Sequence, residues 1–250
     1  MEIVTYANKS FGLFEQLVNN SHGVPVRVLG WGTKWNGLKD KFIGMVEYLK
    51  DKNDDDIIVV YVDGFDSEIN RPLCNLLERF QQTNCKVLMS KEPHLGYSFL
   101  KGISKSVYGD CRSNLTANTG MYMGYAKYLR IVLQDSLQSS CSDDQVVLNK
   151  MCKKYPFIRV DKHEVIFKNI PQNKTKQPNE QAIFVSYPGS PSMARYTRAI
   201  KEYTQFFYFK LMLVMLVLMY LFPKLARKLV YTMFTFTMYF LFVADKSCLG

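Results

Sequence analysis

The stretch DDDIIVVYVDGFDSEI, residues 54–69, decides the fold. An acidic turn runs into six apolar, mostly β-branched residues, Ile57 to Val62. A continuous apolar run of this length is expected of a central strand covered on both faces, as in parallel sheets. It ends abruptly at Asp63-Gly64-Phe65-Asp66, and in open parallel sheets ligands bind beyond the carboxyl ends of the strands. Two carboxylates three apart, with Glu68 nearby, form a like-charge cluster that is costly unless a cation occupies it. Hard divalent cations take oxygen ligands and share them with phosphates. The local pattern therefore reads as a cation bridging carboxylates and a diphosphate, or as a capped, solvated turn.

Working outward, EIVTYA and VPVRVLG (24–30) read as strands before this one. KFIGMVEYLKDK reads as a helix, with Phe42, Met45, Val46 and Leu49 on one face. RPLCNLLERFQQT reads as a helix carrying Pro72 in its first turn, and CKVLMS as another strand. The β-α-β-α-β order predicts an α/β sandwich with a mostly parallel sheet. Further on, NLTANTGMYMGYAKYLRIVLQDS joins a glycine-punctuated strand to a helix, DDQVVLNKMCKKY opens another helix, and HEVIFKNI and QAIFVSY are short strands. PQNKTKQPNEQ (171–181) reads as a polar loop inside the domain.

The 250 residues carry a formal net charge of +10 and 14% aromatics, which is not a disordered composition. No basic stripe interleaved with aromatics suggests nucleic acid. The charge suits a phosphate-bearing ligand or an anionic lipid surface. The cysteines Cys74, Cys85, Cys111, Cys141, Cys152 and Cys248 lack CxxC spacing, which excludes a recognisable zinc knuckle. MEIVTYANKS does not read as a signal peptide, so the sequons at Asn8, Asn19, Asn114 and Asn173 read as chance matches. Composition shifts at Phe206. FFYFKLMLVMLVLMYLF and LVYTMFTFTMYFLFVA, separated by PKLARK, each approach the ~17 residues needed to cross a bilayer. The expected division is a domain over 1–204, a membrane-associated hairpin or pair of transmembrane helices over 205–244, and a tail over 245–250. With basic residues flanking the apolar runs, the domain is expected at a membrane, facing the cytosol.

Beyond these patterns, IVTYA, VRVLGWGTKWNG, KFIGMVEYLK, IIVVYVDGFD, VLMSKEP, NTGMYMGYA, DDQ and VIFKNI follow one another in an order that resembles the glycosyltransferase domain of the procollagen lysyl hydroxylases and related glycosyltransferases, including viral ones. The resemblance runs from Ile3 to about Tyr203. It implies a GT-A glycosyltransferase fold, Rossmann-like, and a UDP-sugar held by Mn²⁺ or Mg²⁺. By that resemblance Asp63 and Asp66 match the metal-ligating pair. Thr5, Ala7, Trp35 and Lys41 lie near the nucleotide. Asn118, Thr119 and Gly120 match the strand beside the sugar, and Asp143, Asp144 and Gln145 the acidic segment facing sugar and acceptor. Asp143 and Asp144 are the expected catalytic residues. Relatives carry a late His-Gly-x-Gly segment whose His is a third metal ligand; here Ser186 and Tyr187 stand at that place. The implied function is hexose transfer from a UDP-sugar to a hydroxyl of a protein or glycan, hydroxylysine or galactosyl-hydroxylysine of a collagen-like protein among them. The missing His leaves an inactive GT-A interaction module as the alternative, and hydrolysis of the nucleotide sugar as a third reading.

Overall fold

The structure, a computed structural model, describes residues 1–52, 56–93, 109–111, 115–141, 143–170 and 175–188, together with Val217 and Tyr220. The chain divides into two compact units, Met1–Ser190 and Pro191–Gly250. Within the first, the strands are β1 (Glu2–Tyr6), β2 (Val26–Leu29), β3 (Ile58–Val62), β4 (Ser67–Ile69), β5 (Val87–Lys91), β6 (Ala117–Tyr125), β7 (Ile158–Val160), β8 (Phe167–Asn169) and β9 (Phe184–Ser186). The helices are α1 (Phe14–Val18), α2 (Lys39–Leu49), α3 (Leu76–Gln82), α4 (Ala126–Leu137) and α5 (Asp144–Lys154).

β3 is buried at every residue, as its unbroken apolar run requires. Its side chains alternate between two cores, because successive Cβ atoms of a strand point to opposite faces. Val59 and Tyr61 pack with Phe42, Met45 and Leu49 of α2 and with Leu129 and Leu133 of α4. Ile58, Val60 and Val62 pack with Leu17, Leu76, Phe80, Phe167 and Phe184 on the other face. Each such buried aliphatic side chain contributes about 1.5–3 kcal/mol relative to exposure. The strand is thus fixed from both sides, and its carboxyl end is a rigid place to mount Asp63.

The six-stranded sheet has the order β2-β1-β3-β6-β5-β7. β1 runs parallel to β2 and β3, and β5 parallel to β7. β6 is antiparallel to both its neighbours, β3 and β5. The expectation of a mostly parallel sheet is therefore corrected to a mixed one. Strand direction is not encoded in apolarity: a central antiparallel strand buried on both faces carries the same run as a parallel one. β4, β9 and β8 form a second, three-stranded sheet. α3 begins at Leu76 rather than at the Arg71-Pro72 pair, since the Asn70 and Arg71 amides donate to the Ile183 carbonyl at 2.8 and 3.3 Å.

The C-terminal pair of apolar membrane helices is also corrected, and with it the membrane location. Among the described residues, no helix is long and apolar enough to cross a membrane. The two apolar runs lie outside the described residues except for Val217 and Tyr220. Apolar composition alone does not make a spanning helix, and runs of this length sit at the lower limit for crossing a bilayer.

Candidate functional site

Asp63 follows β3 directly, and its amide donates to the Gly120 carbonyl at 2.7 Å. That bond ties the acidic turn to β6 at an irregularity. Between β5 and β6 the register shifts, from Met89 opposite Tyr122 to Ser90 opposite Asn118. A bulge of this kind bends the strand and re-aims its side chains. Here it carries Asn118, Thr119 and Gly120 toward the carboxyl end of β3. The Asn118 carbonyl oxygen Oδ1 accepts from the Gly120 amide at 2.8 Å. A Cβ on Gly120 would lie 2.9 Å from that oxygen, so a larger residue there would displace the Asn118 amide from this bond.

Gly64 plays a second steric part. A Cβ there would stand 2.8 Å from Thr5 Oγ1 and 3.2 Å from the Ala7 Cβ. Thr5 and Ala7, at the end of β1, are the floor on which the Asp63–Asp66 turn rests. Thr5 Oγ1 is buried without a hydrogen-bond partner among the described residues. Trp35 lies further out, partly exposed, its ring centroid 5.9 Å from that of Tyr6.

Lys41, in the first turn of α2, forms an ion pair with Asp63 Oδ2. Both side chains are only 14% exposed. Burial pushes the Lys41 pKa down, but Asp63, Asp144 and Asp66 outweigh it, and the ammonium is held above its ordinary range. The other Asp63 oxygen faces the Phe65 amide at 3.4 Å. Asp66 is held differently. Its Oδ1 accepts from Ser186 Oγ at 3.2 Å and Ser67 Oγ at 3.4 Å, and its carbonyl accepts from the Tyr187 amide at 2.8 Å. The strand β9 thus brings Ser186 beside Asp66.

The acidic segment at the start of α5 divides its labour. Asp143 caps the helix, Oδ1 accepting from the Val146 amide at 2.9 Å. Asp144 is buried, and its Oδ2 accepts from Thr119 Oγ1 at 3.0 Å. Burial raises the Asp144 pKa, Lys41 and the Thr119 hydroxyl pull it down, and Asp143 and Asp63 push it up; the net shift is upward. Gln145 donates to Glu92 Oε2 at 2.9 Å, and Asn118 donates to the same oxygen at 2.7 Å. Burial raises the Glu92 pKa against these two donors.

Lys41, Asp63, Asp66, Asn118, Thr119, Gly120 and Asp144 are therefore brought together, with Thr5 and Ala7 beneath them. Gln145 joins through Glu92. Asp143 is present as a helix cap. Trp35 has no described contact with the acidic residues. Glu92 was absent from the expected site, although it lies just past β5 as Asp63 does past β3. Glu68 is drawn elsewhere: Gln16, Lys176 and Tyr187 all donate to its carboxylate.

The implied cation can be tested against this donor set. Among the described residues, no group of three or more His, Cys, Asp or Glu side chains is placed to hold a metal ion. Asp63 and Asp66 offer two carboxylates, and Mg²⁺-like ions bind through one or two carboxylates with water and phosphate completing the shell. The surplus of negative charge that acts on Lys41 also favours a cation. The residues present fit such an ion when a diphosphate supplies further oxygens.

The likenesses to known proteins follow the same lines. A procollagen-lysine,2-oxoglutarate 5-dioxygenase of Drosophila melanogaster is 24% identical over 143 residues, covering 52% of this chain. This chain spans only 19% of that relative's length. The crystal structure of a glycosyltransferase involved in the glycosylation of the major capsid of PBCV-1 has a similar fold, with a TM-score of 0.50 and 12% identity. The likeness covers 79% of this chain and 97% of that one. The profile of the PLOD GT domain matches residues 1–182, which hold β1 to β8 and every acidic residue of the site. The chain belongs to the PLOD glycosyltransferase-domain family.

Proposed function

We propose that the chain transfers a hexose, glucose or galactose, from a UDP-sugar to a hydroxyl acceptor, with Mn²⁺ or Mg²⁺ held by Asp63 and Asp66. The observation that supports this is the convergence of Lys41, Asp63, Asp66 and Asp144 where β3 ends against the β6 bulge. The name of the Drosophila relative suggests the acceptors to test first: hydroxylysine, and its galactosylated form, in a collagen-like protein.

In this reading the bond between the anomeric carbon and the diphosphate breaks, and its electron pair leaves with the diphosphate. A bound divalent cation supplies charge neutralisation for that leaving group. Lys41 adds a buried positive charge on the same side, worth more in a water-poor site than in water. The acceptor oxygen bonds to the anomeric carbon and gives up its proton. Asp144, with a pKa raised above the ordinary carboxylate range, is suited to take it. Asp143 steadies the turn that presents it, and Asn118 and Gln145 hold Glu92 against the sugar side. Thr5, Ala7 and Trp35 shape the nucleotide end.

The test is UDP release from UDP-glucose and UDP-galactose, with and without Mn²⁺, and with hydroxylysyl and galactosyl-hydroxylysyl peptides. Transfer to a peptide supports the reading. Ser186 and Tyr187, at the place where the resemblance expects a His, favour one second reading, an inactive module that binds UDP without turnover. Tight UDP binding with neither transfer nor hydrolysis would favour that one.

A further inference from the structure

The Lys41–Asp63 pair sets a condition on how the site loads. A cation arriving alone meets carboxylates that already have partners. Asp63 Oδ2 holds the Lys41 ammonium and Oδ1 faces the Phe65 amide. Asp66 Oδ1 accepts from two serine hydroxyls. Displacing a buried ammonium from the carboxylate it pairs with would leave a charge with poor solvation, which is costly. A diphosphate changes this balance, because it offers the ammonium a new anionic partner. Lysine suits such an exchange: it is a point charge on a flexible stem, where arginine would grip one carboxylate with a fixed fork.

We propose that Lys41 is an exchangeable counter-cation that makes divalent-cation binding depend on the nucleotide. Without a diphosphate its ammonium occupies Asp63. With one bound, the ammonium turns to the phosphate oxygens and frees the Asp63 carboxylate. The inference rests on the reading of Asp63 and Asp66 as the donor site. It makes the two ligands positively coupled, and the coupling must be reciprocal: UDP raises the affinity for the cation by the same factor as the cation raises the affinity for UDP.

The experiment measures Mn²⁺ binding to the full chain by calorimetry and by the Mn²⁺ electron-spin signal, alone and with saturating UDP. In the wild type, UDP should tighten Mn²⁺ binding by about tenfold or more, within the usual range of such coupling. In Lys41→Met, Mn²⁺ alone should bind about tenfold tighter than to the wild type and raise the melting temperature, while the gain from UDP falls toward onefold. Lys41→Gln provides the same comparison should the methionine variant fail to fold. Lys41→Arg keeps the charge and should keep Mn²⁺ binding weak without nucleotide. A folded, neutral variant whose Mn²⁺ affinity and UDP-linked gain both equal those of the wild type overturns the proposal alone. A wild type that binds no UDP at any Mn²⁺ concentration overturns the donor-site reading itself, and this proposal with it.

Discussion

Ser186 donates its hydroxyl to Asp66 Oδ1 at 3.2 Å, across the pairing of β4 with β9 that sets Ser67 opposite Ser186. Ser186, which with Tyr187 stands where the resemblance would set an imidazole ligand, thus braces a carboxylate. Ser186→Ala removes one charge-assisted hydrogen bond, a loss of about 1.5–3 kcal/mol if nothing replaces it. Asp66 keeps Ser67, so we expect the lower end for stability. Binding of UDP with Mn²⁺ should weaken several-fold, since Asp66 loses one of the hydroxyls that orient it. Calorimetry of the variant beside Asp66→Asn checks this: the asparagine should lose Mn²⁺-dependent UDP binding outright. Equal UDP affinity in wild type and both variants would remove Asp66 from the donor site.

The rest of the acidic turn depends on contact with β1. Gly64→Ala places a methyl group 2.8 Å from Thr5 Oγ1, which is buried and cannot swing into solvent. Overpacking of this kind costs about 1–3 kcal/mol. Thr5→Ala alone should cost only about 1 kcal/mol, because it deletes one buried methyl group together with a hydroxyl that has no partner among the described residues. The double variant should therefore recover part of the stability lost by Gly64→Ala. Thermal melts of the four proteins form a complete cycle, and strict additivity would show that the clash is not with Thr5.

Cys111 and Cys152 form a disulfide that joins the approach to β6 with α5, across 41 residues of sequence. A loop of that size gives a chain-entropy stabilisation of about 4 kcal/mol as an upper figure. The bridge ties together the two elements that carry Thr119 and Asp144. Reductant should lower the melting temperature of the wild type by more than that of Cys111→Ser/Cys152→Ser. Equal melting of the oxidised wild type and the double variant would show that the bridge adds nothing.

Much of this arrangement was legible from the sequence, and the unread parts have physical causes. The unbroken run from Ile57 to Val62 announced a strand buried on both faces, with Asp63 just past its end. The direction of β6 was not legible, because apolarity is the same for either direction. Nor were β4, β7 and α1, which are three to five residues long and lie below the length at which periodicity speaks. Glu92 was legible as the end of VLMSKEP, a match to the family's Ser-x-Glu strand end, but nothing in the sequence assigned it a place in the site. Only the fold shows Asn118 and Gln145 converging on it. The bulge that delivers Thr119 to Asp144 depends on a register shift between two distant segments, and no local window contains both.

Thr119→Val tests that last contact. The Thr119 hydroxyl donates to the ionised form of Asp144, and so holds its pKa below where burial alone would set it. Removing the hydroxyl should move the Asp144 pKa further up. If Asp144 takes the acceptor proton, transfer requires its ionised form, and the acid limb of the pH–rate profile reports its pKa. That limb should shift to higher pH in the valine variant, with the plateau rate reduced less than the rate on the limb. Stability should respond in a linked way. A carboxyl whose folded pKa is raised holds its proton longer folded than unfolded, so its contribution is favourable at low pH. That contribution is lost as pH rises from the unfolded value near 4 through the folded one. In Thr119→Val the loss should extend to higher pH than in the wild type. Denaturant melts across pH 4 to 8 measure this independently of turnover. An unshifted acid limb together with a shifted stability profile would keep Asp144 as a buried structural acid and move the proton-accepting role to another group.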